Sequence, residues 1–337
     1  MRAPALRLAT YNVEWMNALF DDAGALLIDS SLSARHQITR AHQIAALGVV
    51  FQALDVDGVM VIEAPDTSPR RATVTALETF ARHFHLRARK AVIGFASGTE
   101  QEIAFLYDPD RLIADHDPQS TPETPRFDRT WDLDINADGR AEPVAFSKPP
   151  LELRVQTATQ TLRLIGVHAK SKAPHHRTSD AEFTRISIEN RRKQLAECHW
   201  LRARAITHLT AQDNLIIMGD LNDGPGIDQY ERVFGQSGVE VVMGPTQPPS
   251  LHLTDPNAQM ALRPGLHPTS ARFWLAPRQS YFEALLDFIM LSPNLAAKNP
   301  DWHIWHPFND PKVTNTPGLS AAILTASDHF PITLDLP

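Results

Sequence analysis

Short, nearly uninterrupted apolar runs punctuate this chain, each ending in polar side chains, and the pattern predicts a set of buried strands. Leu215-Ile216-Ile217-Met218 breaks into Gly219-Asp220-Leu221-Asn222-Asp223-Gly224; an apolar run flanked by turn residues fits a core strand. Leu6 to Val13 ends in Tyr11-Asn12-Val13-Glu14, Val59-Met60-Val61-Ile62 runs into Glu63, and Leu162 to Val167 runs into His168-Ala169-Lys170-Ser171-Lys172. Leu285 to Leu291 carries Asp287 inside an otherwise apolar strand, and Ala326-Ser327-Asp328-His329 opens the last strand. Further strands are predicted at Ala91 to Phe95, Glu102 to Tyr107 and Leu151 to Val155. Helical spacing predicts helices over Ala34 to Leu54, Pro69 to Phe84 with Pro69 in its first turn, and Asp180 to Thr210. Gly244 to Pro277 and Asn299 to Gly318 lack periodicity and read as long loops at a rim.

The polar endings share one construction. Side chains two apart on an extended backbone point the same way, so Asn12 with Glu14, and Asp220 with Asn222, can address one ligand. Asp-Leu-Asn-Asp-Gly alone reads equally well as an Asx-rich turn serving the backbone. A lone Asp287 in an apolar strand is expensive unless something pairs with it. Six strand ends together supply acids, amides, histidines and lysines, a set suited to a hard metal ion and a phosphate.

In that order, Asn12 and Glu14 in Tyr-Asn-Val-Glu-Trp, Glu63, His168, Gly-Asp-Leu-Asn at 219 to 222, Leu-Asp-Phe-Ile at 286 to 289 and Ser-Asp-His at 327 to 329 resemble the endonuclease/exonuclease/phosphatase superfamily. The resemblance spans residues 12 to 329, essentially the whole chain. It departs at Ile62, where the family usually has Gln before the acid, and over about 113–150, which matches nothing and leaves one wall of the site unassigned. It implies a four-layer α/β/β/α sandwich, two packed mixed sheets flanked by helices, with an active site at the strand-end edge. Motifs from both ends in one site imply a single domain over 1–337.

The resemblance also implies roles. Glu63 with Asn12 would hold a divalent ion, Mg²⁺ with Mn²⁺ as a substitute, Asp328 being a further ligand and Glu14 a support. Asp220 would take a proton from the attacking water, Asn222 would orient that water or the phosphate, and His329, set by Asp287, would donate to a phosphoryl oxygen. His168 would assist the leaving group, as in the deoxyribonuclease and sphingomyelinase branches, and Lys170 and Lys172 would bind substrate phosphate.

Composition bounds these expectations. The 337 residues are 43% hydrophobic, enough for a large core. With 32 basic and 39 acidic residues the net charge is −7, which counts against a tight non-specific nucleic-acid binder but leaves room for a local basic patch. Lys170, Lys172, Arg177, Arg185, Arg191, Arg192 and Lys193 are candidates for that patch; Arg191 to Lys193 read as well as the wet face of a helix. The single cysteine, Cys198, sits in a predicted helix and excludes an internal disulfide. No signal segment or membrane-length apolar run is visible, so the expected location is cytoplasmic. Asp134-Ile135-Asn136-Ala137-Asp138-Gly139 matches half of a calcium loop, with Asp134, Asn136 and Asp138 as oxygen ligands for Ca²⁺, but the twelfth position is Ala145; Asn-Ala-Asp-Gly is also a good hairpin turn.

The expected function is a metal-dependent phosphodiester hydrolase, foremost a nuclease acting on nucleic acid, with no obligate protein partner evident. The alternatives are a phosphodiesterase or phosphatase for a small molecule or phospholipid headgroup, and a non-catalytic phosphate-binding scaffold. A lipid-directed enzyme would expose apolar surface near the site, for which Phe273-Trp274-Leu275 and the Trp302 and Trp305 loop are candidates.

Overall fold

The computed structural model describes residues 6–135, 140–173, 179–226, 232, 234–263, 265, 267–275 and 279–337. The strands in chain order are β1 (Leu6–Asn12), β2 (Gly58–Ala64), β3 (Lys90–Ile93), β4 (Glu102–Tyr107), β5 (Ile113–His116), β6 (Trp131–Leu133), β7 (Glu142–Val144), β8 (Leu151–Gln156), β9 (Thr161–His168), β10 (Leu215–Asp220), β11 (Ala271–Leu275), β12 (Ser280–Ala284), β13 (Asp287–Leu291), β14 (Asp301–Ile304) and β15 (Ile332–Leu336). The helices are α1 (Arg40–Leu54), α2 (Thr73–His83), α3 (Asp180–Thr210), α4 (Gly238–Met243), α5 (Pro256–Ala261), α6 (Pro293–Ala296), α7 (Pro311–Thr314) and α8 (Leu319–Ala326).

A six-stranded sheet, β14-β15-β1-β2-β4-β3, packs face to face on a five-stranded sheet, β13-β10-β9-β8-β5. Leu8, Met60, Ile62, Phe105, Leu164, Ile216, Ile289 and Leu334 fill the space between them. A second core joins the first sheet to α1, α2 and α8 through Tyr11, Leu47, Phe51, Phe80 and Ile323, and a third joins the second sheet to α3 and α4 through Val167, Trp200, Ile217 and Val242. The layers are therefore helix, sheet, sheet, helix. Strands buried on both faces have no wet side to alternate with, which is why β2 and β10 read as unbroken apolar runs. Gly166 lets the sheets approach closely, since a Cβ there would lie 2.3 Å from Met60 Sδ.

Topology brings the polar endings together. β1 and β2 run parallel, as do β9 and β10, so Asn12, Glu63, His168 and Asp220 all leave the C-terminal ends of their strands. β13 and β15 run antiparallel to β10 and β1, so their beginnings lie at that same edge, bringing Asp287 and His329 with them.

Several boundaries differ from the pattern reading. α1 begins at Arg40 rather than Ala34, because Thr39 caps it, its Oγ1 accepting His42 N at 3.3 Å, while Ser33 N bonds Ile38 O in a turn before it. The stretch 113–150 contains the edge strand β5 and the hairpin β6–β7. The two predicted loops hold α5 and β11, and β14 and α7. Short strands and single-turn helices carry too few periods to stand out.

Candidate active site

The site is built on cross-strand register. Asp220 lies beside His168 on one neighbour and Asp287 on the other, and Asn12 ends β1 next to Ile62. Asn12 Nδ2 donates to Asp220 Oδ2 at 3.1 Å and Glu63 Oε1 at 3.3 Å, linking the two sheets across the opening. His168 Nε2 stands 3.8 Å from both Glu63 Oε1 and Asp220 Oδ2. His329 Nδ1 bonds Asp287 Oδ2 at 2.8 Å and turns Nε2 towards Asp220 and Asp328, at 3.9 and 4.0 Å. The predicted residues Asn12, Glu63, His168, Asp220, Asn222, Asp287, Asp328 and His329 thus form one cluster.

Local backbone strain accompanies this placement. Glu63 sits at φ 63° where a bulge interrupts the β2–β4 ladder, and Asn222 at φ 50°. Such conformations cost of order 1–3 kcal/mol each and concentrate at functional sites. Asn222 is held by bonds from its N to Asp220 Oδ1 (2.7 Å) and from its Nδ2 to Ala169 O (3.0 Å). The Asx turn and the functional reading therefore coexist: the same Asp220 carboxylate anchors the turn.

Two serines absent from the sequence reading complete the frame. Ser270 Oγ donates to Asp287 Oδ2 at 2.8 Å and accepts Asp287 N at 3.0 Å. Ser327 Oγ donates to Asn12 O and accepts His329 N, at 2.8 and 3.0 Å, tying the His329 turn to β1. Ser327 lies inside the Ser-Asp-His motif and is readable there; Ser270, in a stretch without periodicity, is not.

Burial and charge set the protonation states. Burial pushes Asp220 up to about 7 even against the pull of His329. Burial works against a charge on His329, but Asp287 and Asp220 outweigh it and hold the imidazole well above its ordinary range. His168 goes the other way: burial, then Lys148 and His329, keep it well below that range and neutral. Two histidines of opposite charge state therefore flank one carboxylate, the division of labour that acid–base chemistry needs.

Other predicted residues have different surroundings. Glu14 ion-pairs with Arg35 and accepts Asp328 N at 2.8 Å, while burial and the Asp328 carboxylate push it up to about 7. Burial also raises Asp328. Lys172 is tied to the buried Asp223. Lys170 donates its backbone N to Glu197 Oε2 at 2.7 Å. Arg191 bonds the carbonyls of Lys172 and Ser187, and Arg185 pairs with Glu189 on the exposed side of α3. Asn136 and Asp138 of the calcium reading, and Arg177, lie outside the described residues.

One wall residue was missed. Lys148, in Phe146-Ser147-Lys148-Pro149-Pro150 before β8, interacts electrostatically with Glu63 and Asp220; its ammonium is lowered by burial although those acids and Glu197 support it. Nothing periodic marks it in sequence, and only the tertiary fold carries it to the site.

Glu63, Asn12 and Asp220 offer two carboxylates and a carboxamide on one side, an oxygen set that fits a hard divalent cation. Asp220, Asp287 and His329 also place one ligand atom each within 4.8 Å of one another. Since His329 Nδ1 is occupied by Asp287, these two are better arranged as an acid with its orienting carboxylate than as joint ligands.

The layered fold, which the resemblance to the endonuclease/exonuclease/phosphatase superfamily implied, is shared with solved structures of low sequence identity. Among solved structures, D. rerio TDP2 complexed with single strand DNA product is 13% identical with a TM-score of 0.50, covering 99% of each chain. Truncated Caenorhabditis elegans TDP2 is 11% identical with a TM-score of 0.51, covering 98% of this chain and 97% of that one. The 3′ phosphatase NExo from Neisseria, bound to product DNA hairpin, is 14% identical with a TM-score of 0.50, covering 99% of this chain and 100% of that one. No protein-family model and no curated protein matches the chain.

Proposed function

We propose that this chain is a divalent-metal-dependent phosphodiester hydrolase that acts as a nuclease, by in-line attack of water on phosphorus. The observation that carries the reading is the convergence of Asp220, the His329–Asp287 pair and the Glu63–Asn12 oxygen donors at one strand-end edge. The D. rerio TDP2 and NExo structures that share the fold were determined with DNA products, which favours nucleic acid as the substrate class.

Glu63 and Asn12, with Asp220 adjacent, would hold Mg²⁺ or Mn²⁺; the cation would withdraw charge from the phosphoryl group. Asp220, poised near neutrality by burial, accepts the proton of the attacking water as the new P–O bond forms. Asn222, fixed against Ala169 O, orients that water. His329, charged and aimed by Asp287, donates from Nε2 to a non-bridging oxygen as charge develops. His168 carries its proton best on Nε2, which faces two carboxylates, and so presents a donor to the leaving oxygen as the ester bond breaks. Lys148 and Lys170 supply cations for phosphate, whereas Lys172 supports the loop through Asp223. Glu14 and Asp328 act at the margin, Glu14 by bracing the Asp328 turn.

A phosphodiesterase for a small molecule or lipid headgroup is the second reading. It is favoured by the net charge of −7 and by the hairpin β11–β12, which exposes Trp274, Tyr281 and Phe282 beside His329. Trp302 and Trp305 give no such surface, since their indole nitrogens bond Ile289 O and Thr333 Oγ1. No helix among the described residues is long and apolar enough to cross a membrane.

Hydrolysis of bis-(p-nitrophenyl) phosphate beside plasmid DNA, each with Mg²⁺, Mn²⁺ or EDTA and with Asp220→Ala as control, tests the reading. Metal-dependent cleavage of both substrates, abolished in the variant, is expected. Cleavage of the small ester alone transfers the assignment to the second reading, and no turnover of either overturns both.

A further inference from the structure

Beside the catalytic cluster lies a group of lysines that the chemistry above uses only in part. Glu197, on α3, is 2% exposed and its carboxylate is surrounded by Lys148, Lys170 and Lys193. It accepts Lys170 N at 2.7 Å, so it fixes the loop that follows His168. Lys193, one turn earlier on the same helix, reaches across to Ser147 Oγ at 3.0 Å and so joins α3 to the strand-preceding loop that carries Lys148. Lys193 is thus partly buried at a junction between elements, not spread on a wet helix face. Lys170 and Lys193 repel one another, and so do Lys148 and Lys170.

Glu63 and Asp220 also answer Lys148, which leaves Lys170 and Lys193 as two ammonium groups on the one acid Glu197 in a partly buried wall, and burial pushes that acid up to about 7. Among the described residues, no side chain hydrogen-bonds or ion-pairs with the Nζ of Lys148 or Lys170. Like charges held together out of water are costly unless an anion answers them. Lys148 also senses Glu63 and Asp220 of the reacting centre, whereas the charges that Lys170 senses are Lys193 and Glu197.

We propose that Lys170 and Lys193, seated on Glu197, form a second phosphate subsite, which takes the phosphate adjoining the scissile one along a nucleic-acid strand. The inference rests on the nuclease reading and sharpens it, because a headgroup diester with one phosphate has nothing to place there. Flanking phosphates position a strand without reading its bases, and ammonium groups serve for this as point charges. Substrates carrying two phosphates in sequence are therefore preferred over those carrying one.

Calorimetric titration in EDTA, where turnover does not intervene, tests this with thymidine 3′,5′-bisphosphate against thymidine 3′-monophosphate. The parent should bind the bisphosphate about tenfold more tightly or better, the scale of a charge-assisted contact. Lys170→Gln and Lys193→Gln should each lose most of that advantage while Lys298→Gln, a distant exposed lysine paired with Gln160, keeps it. Equal affinity for the two nucleotides, or an advantage that survives both substitutions, overturns the subsite. Circular dichroism of each variant shows whether it is folded; if either glutamine variant unfolds, Lys193→Arg, which keeps the charge, should bind as the parent does, and failure to do so counts against the subsite. Turnover separates this from the nuclease reading: a chain that shows the lysine-dependent advantage but cuts no diester keeps the subsite and loses the nuclease assignment, while one that cuts DNA without the advantage loses the subsite alone.

Discussion

At the scale of single residues, the most informative contact is that between His329 and Asp287. Asp287 and Asp220 raise the His329 pKa against the opposing effect of burial. Replacing Asp287 with Asn removes one raising charge, so the imidazole should lose its proton at lower pH. The alkaline limb of kcat/KM against pH is then expected to move down, and the optimum rate to fall about a hundredfold or more. An unmoved limb with parental rate would sink the pairing. His329→Ala and Asp220→Ala should each cost at least about a hundredfold, and the double variant little more than the worse single one, because the groups act on one step. Measuring kcat/KM for the three proteins on bis-(p-nitrophenyl) phosphate decides it; losses within about tenfold would refute the acid and base roles. Asp287 is legible in the sequence because an acid in an apolar strand needs a reason, and Asp220 because it closes an apolar run; the same-facing argument for Asn222 does not hold, since β10 ends at Asp220 and Asn222 turns to φ 50°. Lys148 and Ser270 are not legible, since a lone polar residue in a non-periodic segment acquires meaning only from what the fold sets beside it.

At the scale of elements, the approach of β9 to β10 decides whether His168 and Asp220 can share a ligand. Gly219 holds φ at 140°, and a Cβ there would lie 2.0 Å from Val167 O. Gly219→Ala therefore forces the strands apart as well as straining the backbone, and should cost about 3 kcal/mol or more in urea unfolding. A loss below about 1 kcal/mol would mean that the pair yields easily and that the register of Asp220 with His168 is not enforced there. The central strands and α3 are readable from their patterns, α3 with the same limits at Asp180 and Thr210. β5, β14 and the hairpin β6–β7 are not, because three- or four-residue edge strands lack the repeats on which periodicity depends. The hairpin β11–β12 escapes for another reason: its exposed Trp274, Tyr281 and Phe282 give it no apolar–polar alternation.

At the scale of the whole molecule, the nuclease reading asks a chain of net charge −7 to bind a polyanion, and local concentration of basic side chains is a means of doing so. The fold provides this by letting α3, the loop after β9 and the segment before β8 each contribute one lysine around Glu197. Binding through so few phosphate contacts has a measurable signature, because each neutralised phosphate adds about −0.9 to the slope of log affinity against log salt on duplex DNA. With roughly two or three contacts, kcat/KM on plasmid DNA should fall on the order of 10- to 50-fold between about 50 and 200 mM NaCl. Hydrolysis of bis-(p-nitrophenyl) phosphate, which offers a single phosphate, should barely change over the same range. Lys170→Gln should flatten the DNA slope by about one contact's worth. A plasmid slope as shallow as that of the small ester would show that the basic wall does not grip the strand, and would leave recognition to the exposed aromatic face of β11–β12.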